Sequence, residues 1–406
     1  MQSAGEATPL PLAGVRVLEL GQLLAGPFAG CLLAGFGAEV IKVEPPGGGD
    51  PMRSWRRLEA GTSLWWYSIG RNKKSITLDL RDPRGAELVR RLVAGGVDVL
   101  VENFRPGRLE AWGLGFEELR ALNPRLVMAR LSGYGQTGPY AGRPGFASVA
   151  EGIGGLRYVT GEPDRPPVRA GISLGDSLAA LHAALGVLVA IYRRDAGGSG
   201  RGQLVDAAIY ESVFNLMESL LPEYDRQGHV RERSGAKLEG IVPSSTYRCR
   251  DGRFVIVGGN GDSIFRRLME AIGREDLARD PRLARNPGRV EHEAEIDAAI
   301  EAFTAERPYA EVLAALERAD VPAGPIYSIA DIAADPHYAA RGMFESVGLP
   351  DGSRLRVPRL VPLLSETPAT TRWAGPELGA HNDEIYGGVL GLSPAERAAL
   401  RADGVI

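Results

Sequence analysis

Residues 15–20 (VRVLEL) and 39–44 (EVIKVE) are two short β-branched, apolar runs separated by a stretch of small side chains. The stretch opens with a loop over residues 21–27, reads as a helix over 28–36, and ends at Gly37. Two strands joined through a helix enter a sheet in the same direction, so this βαβ unit commits the chain to parallel pairing. The alternation continues. Strands are predicted over 75–80, 97–101 and 126–131. A helix is predicted over 83–94, and one or two short helices over 106–122. A further strand is predicted over 204–208, followed by a helix over 210–221. The expected fold class is α/β, with a Rossmann-like large domain built on a parallel sheet.

A chain of 406 residues has room for a second domain. The character changes near Gln227. Residues 245–249 and 253–257 flank Arg250-Asp251-Gly252 as a β-hairpin, and helices are predicted over 263–272, 290–303 and 309–319. The expected division is a large domain of residues 1–224 and 326–406, with a smaller α+β domain over 225–325. A short strand over 355–357 belongs to the tail.

Asp176 carries the most chemical information. Gly171 and Gly175 precede it, and Leu178, Leu181, Leu185, Leu188 and Tyr192 follow at helical spacing. Alanines and Gly186 fill much of the remainder, which predicts a helix buried nearly all round. A lone acid at the mouth of such a helix has two readings. It is an N-cap, accepting a backbone N–H and complementing the helix dipole, or it is a carboxylate nucleophile.

Several function classes recede. The formal charge is −4, with no basic excess for nucleic acid. Cys31 and Cys249 make no disulfide framework and no metal-ligand spacing with a histidine, so no metal is expected and a reducing cytoplasm is the natural setting. Residues 1–10 lack the basic start and apolar core of a signal peptide. The apolar run 172–192 is interrupted by Asp176 and His182, so no membrane span is expected. The first βα turn lacks the GxGxxG spacing, which argues against a nicotinamide site even though Glu44 ends the second strand. Gly258-Gly259-Asn260-Gly261-Asp262 reads as a strand-to-helix turn with Asp262 or Ser263 as cap, or as a mobile flap. Cations including Arg53, Lys73, Arg81, Arg105 and Arg108 lie in the same region as Trp55, Trp65 and Trp66. Positive charge beside flat aromatic surface suits a phosphate-bearing ligand with a purine, such as coenzyme A.

The pieces together resemble the class III CoA-transferase family. The resemblance rests on GVRVLEL at 14–20, AGPFAG at 25–30, the run 35–44, NKKSI at 72–76, VENFRPG at 101–107 and SGYGQTGP at 132–139. Gly175-Asp176, GRGQ at 200–203, VPAGP at 321–325 and GAHNDE at 379–384 follow in family order. The resemblance implies that Asp176 is the nucleophile. It would attack an acyl-CoA thioester, pass through a mixed anhydride and an aspartyl-CoA thioester, and deliver CoA to an acceptor acid. It implies acyl-CoA and a carboxylic acid as substrates with no tightly bound cofactor, and an interlocked homodimer.

By the same resemblance Leu78, Arg81, Asn103 and Phe104 match CoA-contacting positions. Arg53, Lys73 and Arg108 join them on charge alone. Gln22, Leu24 and Phe146 would border the substrate pocket. Leu24 replaces a glutamine of formyl-CoA transferase, and Pro45 and Ala111 replace two CoA-contacting arginines. Residues 235–247 and 258–262 look closer to succinyl-CoA-dependent branches acting on dicarboxylates. Two alternatives remain. An α-methylacyl-CoA racemase would need a histidine where Gly145-Phe146-Ala147 stands, and a phenyl ring accepts no proton. A non-catalytic CoA-binding protein would not depend on Asp176.

Overall fold

The structure is a computed structural model that describes residues 9–406. The chain divides into two compact units. One takes the residues up to Leu156, Ala170–Glu218 and Ala339–Ile406; the other takes Arg157–Arg169 and Ser219–Tyr338.

The first unit is built on six parallel strands: β1 Arg16–Glu19, β2 Glu39–Glu44, β3 Lys73–Thr77, β4 Val99–Glu102, β5 Val127–Ser132 and β6 Leu204–Ala208. Their spatial order is β3-β2-β1-β4-β5-β6. That is the doubly wound order, whose direction reverses between β1 and β4 and leaves a crevice at the carboxyl ends of those strands. Helices cover both faces. On one face lie α1, Ala25–Gly35, and the long crossover helix between β5 and β6. On the other lies α2, Pro83–Ala94, begun by the Asp82 cap with Pro83 at its first position. Tyr386, Val405 and Ile406 of the C-terminal tail join that second layer. The tail also pairs Phe344–Gly348 with Arg354–Pro358 as an antiparallel hairpin.

Two more helices complete this unit for the present purpose: α3, Ala147–Ile153, and α4, Leu174–Asp195. The expectation that α4 is buried all round is corrected. Its alanine face, Ala179, Ala180, Ala183, Ala184 and Ala190 with Val187, is the buried one. The leucine stripe faces out: Leu181, Leu185 and Leu188 are exposed, and Tyr192 is 71% exposed. Small side chains let α4 lie close against α1 and the sheet. The stripe that periodicity marks as a core face is therefore not covered by this chain. Helix α4 is long and apolar enough to cross a membrane, yet its alanine face is seated on the sheet and Arg194 near its end is paired with Asp98 and Asp195. The expected helix over 210–221 is two, Ile209–Phe214 and Leu220–Gln227.

In the second unit, Ser244–Arg248, Phe254–Gly258 and Ala323–Pro325 form a small antiparallel sheet. Helices Asp262–Ala271, Glu293–Ala305 and Tyr309–Arg318 pack on it around Tyr247, Val255, Leu268 and Val312. Arg157–Arg169 is tied to this unit through Gly235 N–H to Gly161 O and Arg233 to Tyr158 O. The turn at 258–262 is held by fully buried Arg289. Its guanidinium donates to Asn260 O at 2.6 Å and to Asp262 at 3.0 Å. Gly261 takes the cap position there, with Asp262 in the first turn, instead of Asp262 or Ser263 capping.

Candidate active site

The crevice between β1 and β4 is shaped by the loop that leaves β1. Leu20 and Gly21 both donate to Val101 O of β4. The side chain of Asn103 then grips the backbone of Gln22 from both sides. Its Oδ1 accepts the Gln22 N–H at 2.7 Å and its Nδ2 donates to Gln22 O at 2.8 Å. Gly21 is needed for this approach, since a Cβ there would stand 2.8 Å from Asn103 Oδ1. The Asn103 amide is thereby engaged in fixing the loop.

Beneath the loop lies a buried ionic cluster. Lys42 is fully buried and pairs with Asp50 at 2.8 Å and Glu19 at 3.3 Å, and its ammonium donates to Gly21 O. Lys73 is also fully buried, paired with Glu19 at 2.8 Å and donating to Pro27 O at 2.7 Å. Burial pushes the Asp50 carboxyl up, but the Lys42 ammonium and the backbone N–H donors outweigh it and hold the carboxyl below its ordinary value. Burial pulls Lys42 down, and Asp50, Glu19 and Glu44 together reverse that and raise it. Arg53 caps the neighbouring Glu44 with bonds of 2.7 and 2.8 Å. Arg53 and Lys73, chosen on charge, therefore serve carboxylates of the fold and do not reach the cavity.

The cavity at the strand ends has a volume of about 280 Å³. Leu20, Gln22, Glu44, Pro45, Leu78, Arg81, Phe104 and Trp112 are among the residues lining it. Phe104 stands edge-on to Trp112, ring centroids 5.4 Å apart. The Phe104 N–H donates to Glu102, whose carboxyl burial pushes up to about 7 against the pull of Arg130 at 2.6 Å. Arg81 stands at the mouth, exposed, with its guanidinium held by Asp79 at 2.9 Å. Leu78, Arg81, Phe104 and Gln22 thus line one cavity. Arg108 is exposed at the start of a short helix and lines no part of the cavity. Leu24 packs with Met52 and Ile69 in a separate apolar cluster and is not among the residues lining this cavity.

Asp176 lies in the first turn of α4. The cap reading is corrected: Ser173 holds the cap position, without a side-chain bond, and Asp176 is three residues further on. A carboxylate there still faces the positive end of the helix dipole. Buried Glu151 of α3 supplies the missing acceptor, taking the Gly175 N–H at 3.2 Å. A Cβ on Gly175 would stand 3.0 Å from Ile209 and 3.2 Å from Glu151, so a larger residue there would make both side chains give by a few tenths of an ångström. Ile209 directly follows β6, whose last residue Ala208 pairs with Ser132 at the end of β5. Asp176 and the cavity therefore lie along the same carboxyl edge of the sheet. Phe146 caps α3 with an extended backbone and is 69% exposed.

Sequence reasoning missed Lys42, Asp50 and Glu151. Lys42 left a signal, a cation inside the apolar run EVIKVE of a strand buried on both faces, where an unpaired charge is costly. Among the described residues no group of three or more His, Cys, Asp or Glu side chains is arranged to hold a metal ion.

Residues 12–382 match the family model described as CoA-transferase family III. The chain is 53% identical over 404 residues to succinyl-CoA–D-citramalate CoA-transferase of Chloroflexus aurantiacus, covering 99% of this chain and all of that one. It is 37% identical to succinate–glutarate CoA-transferase of Agrobacterium fabrum, over 96% of this chain and 97% of that one. Among solved structures it is similar to a CAIB/BAIF family protein from Brucella suis, with a TM-score of 0.81 and 35% identity over 94% of this chain and all of that one.

Proposed function

The chain belongs to CoA-transferase family III, and from that premise we propose that it moves CoA from succinyl-CoA to a small dicarboxylate of the citramalate type, with Asp176 as the nucleophile. The observation that carries the mechanism is the position of Asp176, in the first turn of a helix at the same strand edge as the cavity. One Asp176 oxygen attacks the thioester carbonyl and the C–S bond breaks, giving an aspartyl–succinyl anhydride and CoA thiolate. The thiolate attacks the Asp176 carbonyl, succinate leaves, and an aspartyl-CoA thioester remains. The acceptor carboxylate attacks that thioester to form a second anhydride, and the returning thiolate takes the acceptor acyl group and frees Asp176. Covalent catalysis thus divides an exchange between two weak nucleophiles into easier steps. Both intermediates hydrolyse, so water must be kept from the closed site.

The larger unit, residues up to Leu156 with Ala170–Glu218 and Ala339–Ile406, is the CoA-binding part in this reading. Leu78 and Phe104 offer apolar contact, Arg81 offers charge to a phosphate, and Gln22 borders the acyl end. The exposed stripe of α4 supports a homodimer, interlocked as in the family, because an apolar face of Leu181, Leu185, Leu188 and Val189 calls for a cover. Two buried free cysteines fit a reducing, cytoplasmic setting. The test is an acceptor screen with succinyl-CoA, followed by mass analysis of protein trapped with hydroxylamine. Modification at Asp176 and loss of turnover in Asp176→Ala are expected. Wild-type turnover by that variant, or α-proton exchange without CoA transfer, would overturn the reading.

A further inference from the structure

We propose that Asp50 is a positioning residue for acyl-CoA: backed by Lys42, it holds the 21–24 loop in the shape that presents Gln22 to the cavity. Leu23 has φ 64°, a left-handed conformation that a leucine adopts only when its surroundings impose it. Asp50 imposes it. Its two oxygens face the Leu23 N–H at 3.0 and 3.2 Å, and one of them also accepts the Met52 N–H at 2.9 Å.

Lys42 completes the clamp, because it pairs with Asp50 and donates to Gly21 O. One buried ion pair thus takes hold of the backbone on both sides of Gln22. Asn103 holds the Gln22 N–H and carbonyl themselves. The backbone groups from Gly21 O through the Gln22 N–H and carbonyl to the Leu23 N–H are each engaged, and Gln22 so held lines the cavity. A pair serving stability alone would have no need of a strained leucine. The inference rests on the reading that acyl-CoA occupies that cavity.

The test compares wild type, Asp50→Asn, Asp50→Ala and Asp50→Ala with Leu23→Gly. Each is measured for CoA dissociation constant by calorimetry, for kcat and KM with succinyl-CoA and D-citramalate, and for Tm. Asp50→Ala is expected to weaken CoA binding about 10-fold and lower kcat/KM up to about 100-fold, the scale of a misplacement near 1 Å. Asp50→Asn keeps an acceptor oxygen and should fall between. Glycine adopts the left-handed conformation without being held, so Leu23→Gly should return part of the lost kcat/KM, which a purely structural defect would not allow. Wild-type binding and kcat/KM in Asp50→Ala at any Tm would overturn the proposal, as would a double variant no better than the single. Where Asp50→Ala does not fold, Asp50→Asn with and without Leu23→Gly decides on the same criterion. Wild-type protein that binds no CoA would overturn the reading and the proposal together. CoA binding by an inactive Asp176→Ala leaves the reading standing whatever Asp50 does.

Discussion

Glu151 accepts the Gly175 N–H at 3.2 Å from within the core, one residue before Asp176. That bond does the work of an N-cap from another helix, since Ser173 makes none. Glu151→Ala leaves a helix-start donor without its acceptor in a buried place, a loss of about 1–3 kcal/mol in stability. It also frees the turn that aims Asp176, so kcat should fall while the CoA dissociation constant stays near wild type. Glu151→Gln keeps an acceptor oxygen and should recover most of kcat. Chemical denaturation and steady-state kinetics on the three proteins check this, and equal kcat in all three would refute it.

Lys73 and Arg81 separate two kinds of cation that look alike in sequence. Lys73 is buried against Glu19, and breaking a buried pair by removing one partner costs about 3–5 kcal/mol. Lys73→Met should therefore lower the denaturation midpoint strongly without changing the KM for acyl-CoA in the folded fraction. Arg81 is exposed beside Asp79 at the cavity mouth. Arg81→Ala should leave the denaturation midpoint close to that of wild type, as the loss of an exposed pair does. Its effect should appear in the KM for acyl-CoA, raised by roughly 10-fold for a lost charge-assisted phosphate contact. The opposite pattern in either variant would show that its place in the chemistry is wrong.

The doubly wound sheet was legible because parallel strands buried on both faces write themselves as apolar runs at regular spacing. Residues 39–44 were read with the same bounds that the strand has. The cavity residues Leu78, Arg81 and Phe104 were legible only through ordered motifs, because nothing local distinguishes them from other strand-end residues. Lys42 left a trace as a cation inside an apolar run, but its pairing, like the roles of Asp50 and Glu151, was not legible. Their partners lie 8, 21, 27 and 24 residues away in pairings that only the folded chain creates. Helix α4 shows the converse error. Periodicity finds the apolar stripe correctly, but which stripe meets the sheet depends on how close two helices must lie, and alanine won that place.

The leucine stripe makes its own prediction. Leu185 and Leu188 are exposed on α4 next to Leu181 and Val189. Covering a leucine contributes about 1.5–3 kcal/mol, so replacing both with glutamate removes several and places two charges in the same contact. Sedimentation is expected to show a dimer for wild type and a monomer for Leu185→Glu with Leu188→Glu, with loss of CoA transfer in the variant. A double variant that sediments as wild type would remove the stripe from the interface.

Stability should also depend on pH through His381. Its Nδ1 accepts the Ser75 N–H at 3.1 Å, and its own backbone N–H donates to Ser75 O at 2.9 Å, which ties the tail to β3. Burial holds the imidazolium below its ordinary value; Glu384 opposes this, while Lys74 adds to it. With a depressed value the folded protein binds fewer protons than the unfolded chain, so the unfolded chain gains as acid is added. The contribution is fully present above the unfolded value of about 6.5 and is lost as pH falls through the lower folded value. A urea midpoint measured at pH 7.5 should therefore exceed that at pH 5.5, and His381→Asn should narrow the difference. An unchanged difference in the variant would mean that other groups, not this histidine, set the acid sensitivity of the tail.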